Sequence, residues 1–254
     1  MIRSAIMLAF WVVFALIAAV IGFPSTFITG KIDLLYSLAM WGAWHGVRLA
    51  GVRVNVVGLD QLDAARTYIF MSNHASILDP PILVPLIPRR TSVLVKKELF
   101  RIPILAQAMR IGSLVPVDRS NRESAVASLR AARHVLKAGI NMTIFIEGTR
   151  SYDGRLLPFK KGPFYLAEES GVAIVPATIA GSQAVLPKKK IAVRQGTITV
   201  KFHAAIDPAA YADRDALIAA VRQQIESALP PELRESGATR RVEAVSSDEE
   251  RERD

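Results

Sequence analysis

The chain has 254 residues, no cysteine, a net charge of +9 and a mean hydropathy of +0.27. A chain of this length can bury one substantial core, and the absence of cysteine excludes disulfides, thiolate nucleophiles and thiolate metal ligands. A nucleic-acid binder would be basic but is rarely this apolar, so the composition indicates an anionic membrane surface, and not nucleic acid, as the partner.

An apolar run opens the chain. Between Ala5 and Phe23 only Gly22 falls outside the apolar set, and at about 1.5 Å per residue a helix of this length approaches the thickness of a bilayer's hydrocarbon core. The main alternative is a cleaved signal peptide. We predict a retained membrane helix, because the run is long for a signal peptide and no small-residue cleavage site follows it cleanly.

A second apolar segment follows Pro24, from about Ile32 to Leu49, and contains two tryptophans. Tryptophan rings favour the membrane interface. Two arrangements remain open: a true span with a surface helix, or a pair of helices that dips into one leaflet. In either arrangement, residues 1–50 are predicted to be membrane-anchoring helices.

After Gly51, short β-rich runs alternate with helical stretches. This alternation predicts an α/β fold for residues 51–231, with a mixed sheet of about seven strands covered by helices. The predicted strands run from Arg53 to Val57, Tyr68 to Met71, Ser92 to Val95, Leu114 to Val117, Met142 to Ile146, Ala173 to Ile179 and Thr197 to Phe202.

Two helices are clear from their apolar spacing. The first is predicted from Arg122 to Ala138, with Asn121 as its cap, Gly139 closing it, and three apolar side chains facing inward: Val126, Leu129 and Leu136. The second is predicted from Arg214 to Ala228, ends before two prolines, and carries one apolar stripe: Leu217, Val221 and Ile225.

The end of the chain is strongly charged. From Glu232 to Asp254 there are five basic and eight acidic residues, a net of −3, which leaves +12 on the preceding chain. Few apolar residues accompany these charges, so residues 232–254 are predicted to be a disordered tail without chemistry of its own.

His74 and Asp79 follow directly after an apolar strand. On an unbroken helix, residues five apart point about 140° away from each other, so the backbone must turn between them if the two side chains are to meet. Pro80 and Pro81 favour a helix that starts just after such a turn. The carboxylate would then fix the imidazole tautomer and leave the other ring nitrogen basic. In the alternative, Asp79 only caps the helix and His74 fills a polar gap.

A second polar segment, FIEGTR, emerges from the end of another buried strand at Phe145 to Arg150. Gly148 permits a positive φ or a close approach of the backbone to a ligand. Arg150 offers a planar fork suited to a phosphate monoester, and Thr149 a hydroxyl donor. The alternative is a surface turn in which Glu147 pairs with Arg150.

The two segments resemble conserved blocks of the glycerolipid acyltransferase family. NHASILD, from Asn73 to Asp79, is similar to the family's NHxxxxD block, and FIEGTR to its FPEGTR block. Two further blocks follow in the expected order, GSLVPVDR ending at Arg119 and VPATI ending at Ile179; KKEL and FKKG also match in kind. The chain departs from the family pattern at Pro116 and Ile146, neither of which supplies a reacting group.

The resemblance implies that His74 is a general base and Asp79 its orienting partner. It also implies a phosphate site built from Arg119, Glu147, Gly148 and Arg150, with Thr149 beside them. The residues that we place around the site with secondary roles are Asn73, Ser76, Lys96, Lys160 and Lys161. Two alternatives remain open. Ser76 could be a turn hydroxyl that bonds its own backbone, and Lys160 and Lys161 could lie in a solvated turn without a role in the site.

The implied reaction moves a fatty acyl group from acyl-CoA or acyl-carrier protein to the sn-2 hydroxyl of 1-acyl-sn-glycerol-3-phosphate and gives phosphatidic acid. The alternatives are another lysolipid acceptor, such as a lyso-ornithine lipid, or a membrane-surface binding protein. A serine hydrolase is disfavoured because the sequence has no GxSxG elbow. We expect no cofactor and, since no third ligand accompanies His74 and Asp79, no metal.

Basic residues flank the second apolar segment at Lys31, Arg48 and Arg53. Cations next to membrane segments favour the cytoplasmic side. The expected location is therefore the inner, cytoplasmic membrane of the cell, with the catalytic domain on its cytoplasmic face and membrane lipid as the immediate surroundings.

Overall fold

The computed structural model describes residues 1–118 and 122–234. The predicted phosphate ligand Arg119, the predicted helix cap Asn121 and residues 235–254 of the predicted tail lie outside the described residues. Everything that follows concerns the part of the chain that is described.

Two N-terminal helices, α1 (Ile2–Thr29) and α2 (Asp33–Leu49), form an antiparallel hairpin. Glycines let the helices approach closely, because a side chain at any of three positions would collide with the partner helix. Gly22 lies against Leu35, Gly42 against Phe14 and Gly46 against Trp11. The Trp11 ring also donates a hydrogen bond from Nε1 to the Gly42 carbonyl at 3.2 Å.

Helix α1 is longer than the predicted run from Ala5 to Phe23, because the helix continues through Pro24. Proline removes one backbone hydrogen bond, and apolar membrane helices tolerate this loss better than soluble ones. In the turn that contains Pro24, the Thr26 hydroxyl donates to the Gly22 carbonyl at 2.8 Å. Gly30, with a φ of 67°, then ends the helix.

Within the described chain, α1 is the one helix long and apolar enough to cross a membrane, and only 17% of its most apolar window is buried. Helix α2 behaves differently. Its end packs into the core through Val47 and leads directly into the sheet, and the hydroxyl of Tyr36 near its start accepts a hydrogen bond from the Thr91 backbone at 3.2 Å. Helix α2 is therefore fixed to the globular domain near both of its ends.

The described residues contain a seven-stranded mixed sheet. Its strands are β1 (Val52–Val57), β2 (Ile69–Ser72), β3 (Thr91–Lys96), β4 (Val115–Val117), β5 (Asn141–Phe145), β6 (Ile174–Ala180) and β7 (Gly196–Phe202). Their order is β1-β7-β6-β2-β5-β3-β4, parallel throughout except for the antiparallel pairing of β6 with β7. The predicted α/β fold is confirmed, and each strand boundary lies within one residue of its prediction.

Helices cover both faces of the sheet. The remaining ones are α3 (Asp79–Leu83), α4 (Pro103–Ile111), α5 (Arg122–Lys137), α6 (Gly162–Ser170), α7 (Ser182–Val185), α8 (Arg214–Ser227) and α9 (Pro231–Arg234). The connections from β2 to β3 and from β3 to β4 advance across the sheet in the same direction, so right-handed crossovers place α3 and α4 on one face. Helix α3 shares a core with the hairpin, whereas α5, α6 and α8 contribute to the core on the opposite face.

The inward face of α5 differs from its prediction. Leu129 and Leu136 pack into the core as expected, but Val126 is 45% exposed. The fully buried Ala132 marks the centre of the inward stripe, and at about 100° per residue Val126 lies about 120° around the helix from it. Helix α8 agrees with its prediction, with Leu217, Val221 and Ile225 all fully buried.

The globular domain extends slightly beyond its predicted end at residue 231. Helix α9 continues to Arg234, Leu233 packs against the core, and its carbonyl accepts a hydrogen bond from the Leu156 backbone at 3.1 Å. Residues 232–234 therefore belong to the folded domain, because one apolar side chain and one backbone hydrogen bond hold them there.

The close approach of α1 and α2 yields a first prediction. A Gly46→Leu substitution inserts a side chain where a Cβ atom would lie 2.0 Å from Nε1 of Trp11. We expect a loss of about 1–3 kcal/mol in the free energy of unfolding, measured in detergent, as is usual for overpacking. Ala9→Leu, on the exposed side of α1, is the control that introduces the same side chain. Equal stability of the two variants would show that the helices do not touch at Gly46.

Candidate active site

Three chain segments meet at one edge of the sheet. Strands β2 and β5 are parallel neighbours, so the residues that follow them, 73–78 and 146–161, leave the same edge. Strand β6 is parallel to β2 on its other side and antiparallel to β7, which brings the connection 181–195 to that edge as well. Carboxyl ends of parallel strands are the usual place for binding sites in such folds. The topology thus brings the two sequence motifs together.

The side chains of His74 and Asp79 meet across a tight turn. The His74 ring donates from Nδ1 to Oδ2 of Asp79 at 2.8 Å, with the ring 12% exposed and the carboxylate fully buried. The same oxygen accepts the backbone N–H groups of Ala75 at 2.7 Å and Ser76 at 2.8 Å. The carboxylate therefore fixes both the backbone turn and the ring, and it does not cap helix α3, whose N-cap is Leu78 without a side-chain hydrogen bond.

The Nε2 atom of His74 makes no hydrogen bond to any described residue. A carboxylate at Nδ1 assigns the ring proton to that nitrogen and leaves the Nε2 lone pair available as a base. The ring also stacks on Phe145, the last residue of β5, with centroids 4.3 Å apart and planes 28° apart. Phe145 was not predicted as a site residue. Its place as the first residue of the FIEGTR segment was the available signal.

Glu147 has a different task from the phosphate contact implied by the family resemblance. It is only 2% exposed, and its two carboxylate oxygens accept the backbone N–H groups of His74 at 2.7 Å and Leu157 at 2.8 Å. A buried carboxylate with both oxygens engaged cannot also contact a phosphate, which it would repel. Glu147 instead ties the His74 turn to the β5–α6 connection.

Burial raises the pKa of the Glu147 carboxyl from its ordinary value of 4.5 to about 7, because taking a charge out of water is costly. The two backbone hydrogen bonds to His74 and Leu157 oppose this rise, and the nearby carboxylate of Asp79 adds to it. The desolvation cost is the largest of these effects.

Gly148, Thr149 and Arg150 form an exposed rim after Glu147. Gly148 has a φ of 71°, and its missing side chain lets the stem of Lys160 pass close, since a Cβ atom would lie 3.3 Å from the Lys160 Cγ. Thr149 is exposed and Arg150 is half-buried. The Arg150 guanidinium has no ion pair or hydrogen bond within the described chain. The alternative pairing of Glu147 with Arg150 is therefore absent there, and the fork remains available for an anion.

Lys188, from the β6–β7 connection, supports this rim. Its ammonium group donates to the Arg150 carbonyl at 2.5 Å and lies 3.8 Å from the centroid of the Tyr152 ring. Lys188 is the first residue of a basic run, Lys188 to Lys190, that was not predicted as part of the site. The structure places its first member beside the site and adds a positive charge next to Arg150.

The residues predicted for secondary roles divide into two groups. Asn73 and Ser76 are buried and structural: the Asn73 amide exchanges two 2.8 Å hydrogen bonds with the backbone of Ile179, and the Ser76 hydroxyl donates to the Leu186 carbonyl at 2.8 Å. The three lysines are exposed. Lys161 pairs with Asp215 at 2.9 Å and Lys96 with Glu98 at 3.5 Å, whereas Lys160 has no ion-pair partner in the described chain.

The remaining histidines lie away from this edge or serve the fold. His203 donates or accepts a hydrogen bond with the Thr178 hydroxyl at 2.8 Å, and burial lowers the pKa of its ring to about 4, so it stays neutral. The described part of the chain holds no group of three His, Cys, Asp or Glu side chains arranged for a metal.

The raised pKa of Glu147 yields a second prediction. Because the pKa in the folded protein lies above the unfolded value, folding favours the protonated carboxyl. Its contribution to the free energy of unfolding is therefore complete below about pH 4.5 and is lost as the pH rises through about 7. A Glu147→Gln variant lacks this titration. We therefore expect the stability of the wild type relative to Glu147→Gln to fall between pH 5 and pH 8 by about 1–3 kcal/mol. Chemical unfolding of both proteins in detergent, at pH 5 and at pH 8, measures this difference in the free energy of unfolding.

Glu232→Gln, at an exposed position, is the control for this experiment and should show no pH-dependent difference of that size. A relative stability of the wild type that rises with pH would contradict the prediction. It would mean that the two backbone hydrogen bonds outweigh the cost of burying the charge.

Known proteins match both the sequence and the fold. The family model described as Acyltransferase matches residues 53–180. A 1-acyl-sn-glycerol-3-phosphate acyltransferase of Cocos nucifera is 35% identical over 169 residues, which cover 66% of this chain and 55% of that protein. The beta form from Homo sapiens is 33% identical over 157 residues, covering 61% of this chain and 56% of that protein. The chain thus spans about half the length of these curated relatives.

A crystal structure of the 1-acyl-sn-glycerophosphate acyltransferase PlsC from Thermotoga maritima superimposes with a TM-score of 0.71. The two sequences are 25% identical, and the match covers 88% of this chain and 93% of that one. The family model spans half of the chain and includes every site residue described above except Lys188. The resemblance seen in the sequence is confirmed: this chain belongs to the acyltransferase family.

Proposed function

We propose that this chain transfers a fatty acyl group from acyl-CoA or acyl-carrier protein to the sn-2 hydroxyl of 1-acyl-sn-glycerol-3-phosphate, giving phosphatidic acid. The observation that carries the proposal is the imidazole of His74, oriented through Nδ1 by the buried Asp79 and open at Nε2. The names of the curated relatives and of the superimposed structure support the choice of acceptor.

In the proposed reaction, Nε2 of His74 takes the proton of the acceptor hydroxyl as its oxygen attacks the thioester carbonyl. A carbon–oxygen bond forms, the tetrahedral intermediate collapses, and the carbon–sulfur bond breaks. The leaving thiolate takes the proton back from the imidazolium. The Asp79 carboxylate stabilises the imidazolium through the hydrogen bond to Nδ1. No acyl-enzyme is formed on Ser76, whose buried hydroxyl is bound to the Leu186 carbonyl.

The acceptor phosphate would bind at the rim after β5. Among the described residues the Arg150 fork has no partner there, and Lys188 adds a second cation beside it. A planar guanidinium suits two oxygens of a phosphate monoester. Arg119 remains an expectation for the same role, since it lies outside the described residues. Glu147 contributes only by holding the two motifs together.

We further propose that the N-terminal hairpin lies in one leaflet and does not cross the bilayer. Helix α2 is attached to the globular domain through Tyr36 near its start and Val47 near its end, and α1 packs along it. A helix bound to a water-exposed domain over its length cannot be surrounded by lipid. The outward apolar face of α1 would then enter the cytoplasmic leaflet of the inner membrane, with Lys31, Arg48 and Arg53 near anionic headgroups.

His74→Ala provides the third prediction and tests the general base directly. We expect kcat for acyl transfer to fall by about 10²–10⁴-fold with the fold retained, because the proton of the hydroxyl then has no acceptor. The measurement is product formation by mass spectrometry with each donor in turn. The matched control is His134→Ala, at an exposed position of α5, which should keep full activity. A His74→Ala variant that turns over at the wild-type rate would exclude the mechanism.

Arg150→Gln provides the fourth prediction and tests the acceptor. Loss of the fork should raise KM for 1-acylglycerol-3-phosphate by about 10-fold or more, because a charge-assisted phosphate contact is removed. Transfer to 1-acylglycerol-3-phosphocholine or a lyso-ornithine lipid, measured in parallel, should change far less. Arg155→Gln, which affects only a partly exposed pair with Asp153 at 3.6 Å, is the control. If KM for every acceptor changed equally, Arg150 would not be the phosphate contact.

A further inference from the structure

The turn after β3 and the first turn of α4 expose a group of large apolar side chains. Leu99 is 39% exposed, Ile102 50%, Ile104 52% and Leu105 40%. The same helix buries Ala106 and Met109 on its inner side, so these four side chains form an outer surface rather than a loosely packed core. We name the segment Leu99–Leu105 the α4 rim. Contiguous exposed apolar residues of this kind mark an interaction surface.

The α4 rim lies at the edge of the sheet that carries His74. Strand β3 is parallel to β5 and ends at Lys96, so the residues that follow it leave the same edge as the active-site segments. Since α4 lies on the same face of the sheet as α3 and the N-terminal hairpin, the α4 rim and α1 belong to one layer of the molecule.

Helix α1 presents its own apolar surface on that layer. Its outward side chains include Val13 at 57% and Val20 at 73% exposure. Two exposed cations, Arg101 and Arg110, accompany the α4 rim. An apolar surface that carries cations, in the same layer as a membrane-associated helix, has the character of an element that lies in the headgroup region of an anionic bilayer.

We infer that the α4 rim is a second membrane-inserting element, which dips into the bilayer surface beside α1 while Arg101 and Arg110 contact anionic headgroups. Helix α1 and the α4 rim would then both hold the His74 edge of the sheet against the membrane. The acceptor's fatty chain can remain in lipid while its hydroxyl reaches His74, and extraction of a long apolar chain into water is avoided. The inference rests on the membrane association of the hairpin proposed above and is independent of the acyl donor.

The absence of cysteine from the chain allows a direct test. Single-cysteine variants Ile104→Cys, Val13→Cys and Val126→Cys, each carrying the same environment-sensitive fluorophore, are bound to vesicles of phosphatidylcholine and phosphatidylglycerol whose acyl chains are brominated near the headgroup. Val126 is exposed to a similar degree on the opposite face of the sheet. We expect quenching at positions 104 and 13 and none at position 126.

Quenching at position 13 without quenching at 104 would overturn the inference and leave the hairpin proposal intact. No quenching at either position would overturn both. A label at 104 that responds to added acyl-carrier protein, and not to vesicles, would identify the α4 rim as a protein contact and also contradict the inference.

A second measurement does not depend on a label. The double variant Ile102→Asp/Ile104→Asp should lower the partition coefficient onto the same vesicles by about tenfold or more, because two apolar side chains no longer enter lipid. Val126→Asp should leave partitioning unchanged. Circular dichroism confirms that both variants fold. Equal partitioning of the double variant and the wild type would refute lipid contact at the α4 rim.

Discussion

One carboxylate oxygen holds the site together. Oδ2 of Asp79 is fully buried and accepts the His74 ring and the backbone N–H groups of Ala75 and Ser76. Each of these donors would be costly to leave unpaired inside the protein, so the turn and the orientation of the ring are fixed by the same contact. Because the ring cannot rotate without breaking this contact, Nε2, which has no partner among the described residues, keeps a constant direction. The proposed base would therefore be aligned before any substrate arrives.

Glu147 fixes the β5–α6 connection by hydrogen bonds, as Asp79 fixes the turn after β2. It accepts the backbone of His74 on one oxygen and that of Leu157 on the other. The two carboxylates lie at one edge, and the charge of Asp79 contributes to the raised pKa of Glu147. An edge that already holds two acidic groups can attract a phosphate only if cations lie beyond them. Arg150 and Lys188, both half-buried, lie there next to each other, so the cations proposed to bind the phosphate are separate from the buried carboxylates.

The sequence predicted those features that follow from local pattern. Strands were found because their apolar runs are short and bounded by turn residues. The residues alone left open whether His74 meets Asp79, and the family resemblance implied that they do. The task of Glu147 could not be predicted, because it depends on Leu157, ten residues further along a connection without periodic pattern. Val126 was wrongly predicted to face inward. An apolar residue at helical spacing can still lie at the border of the inward stripe, where its burial depends on the packing of neighbouring elements. The apolar run was predicted to end at Phe23, before Pro24, but helix α1 packs along α2 and continues through this proline.

The antiparallel direction of β7 brings the N-terminal helices to the edge of the sheet that carries His74. Because β7 and β1 run opposite to β6, strand β1 begins at the edge where β2 ends, and α2 must deliver the chain to that edge. The start of α1 lies there too, with the Ser4 hydroxyl accepting the Val193 backbone at 2.8 Å and Arg3 donating to the Ala50 carbonyl at 3.3 Å. The connection that contains Val193 also supplies the Leu186 carbonyl that binds Ser76 and the Lys188 ammonium that binds Arg150. One segment therefore contacts helix α1, the His74 turn and Arg150. Under the proposed membrane placement and reaction, the depth of α1 in the bilayer would set the height at which His74 meets the acceptor.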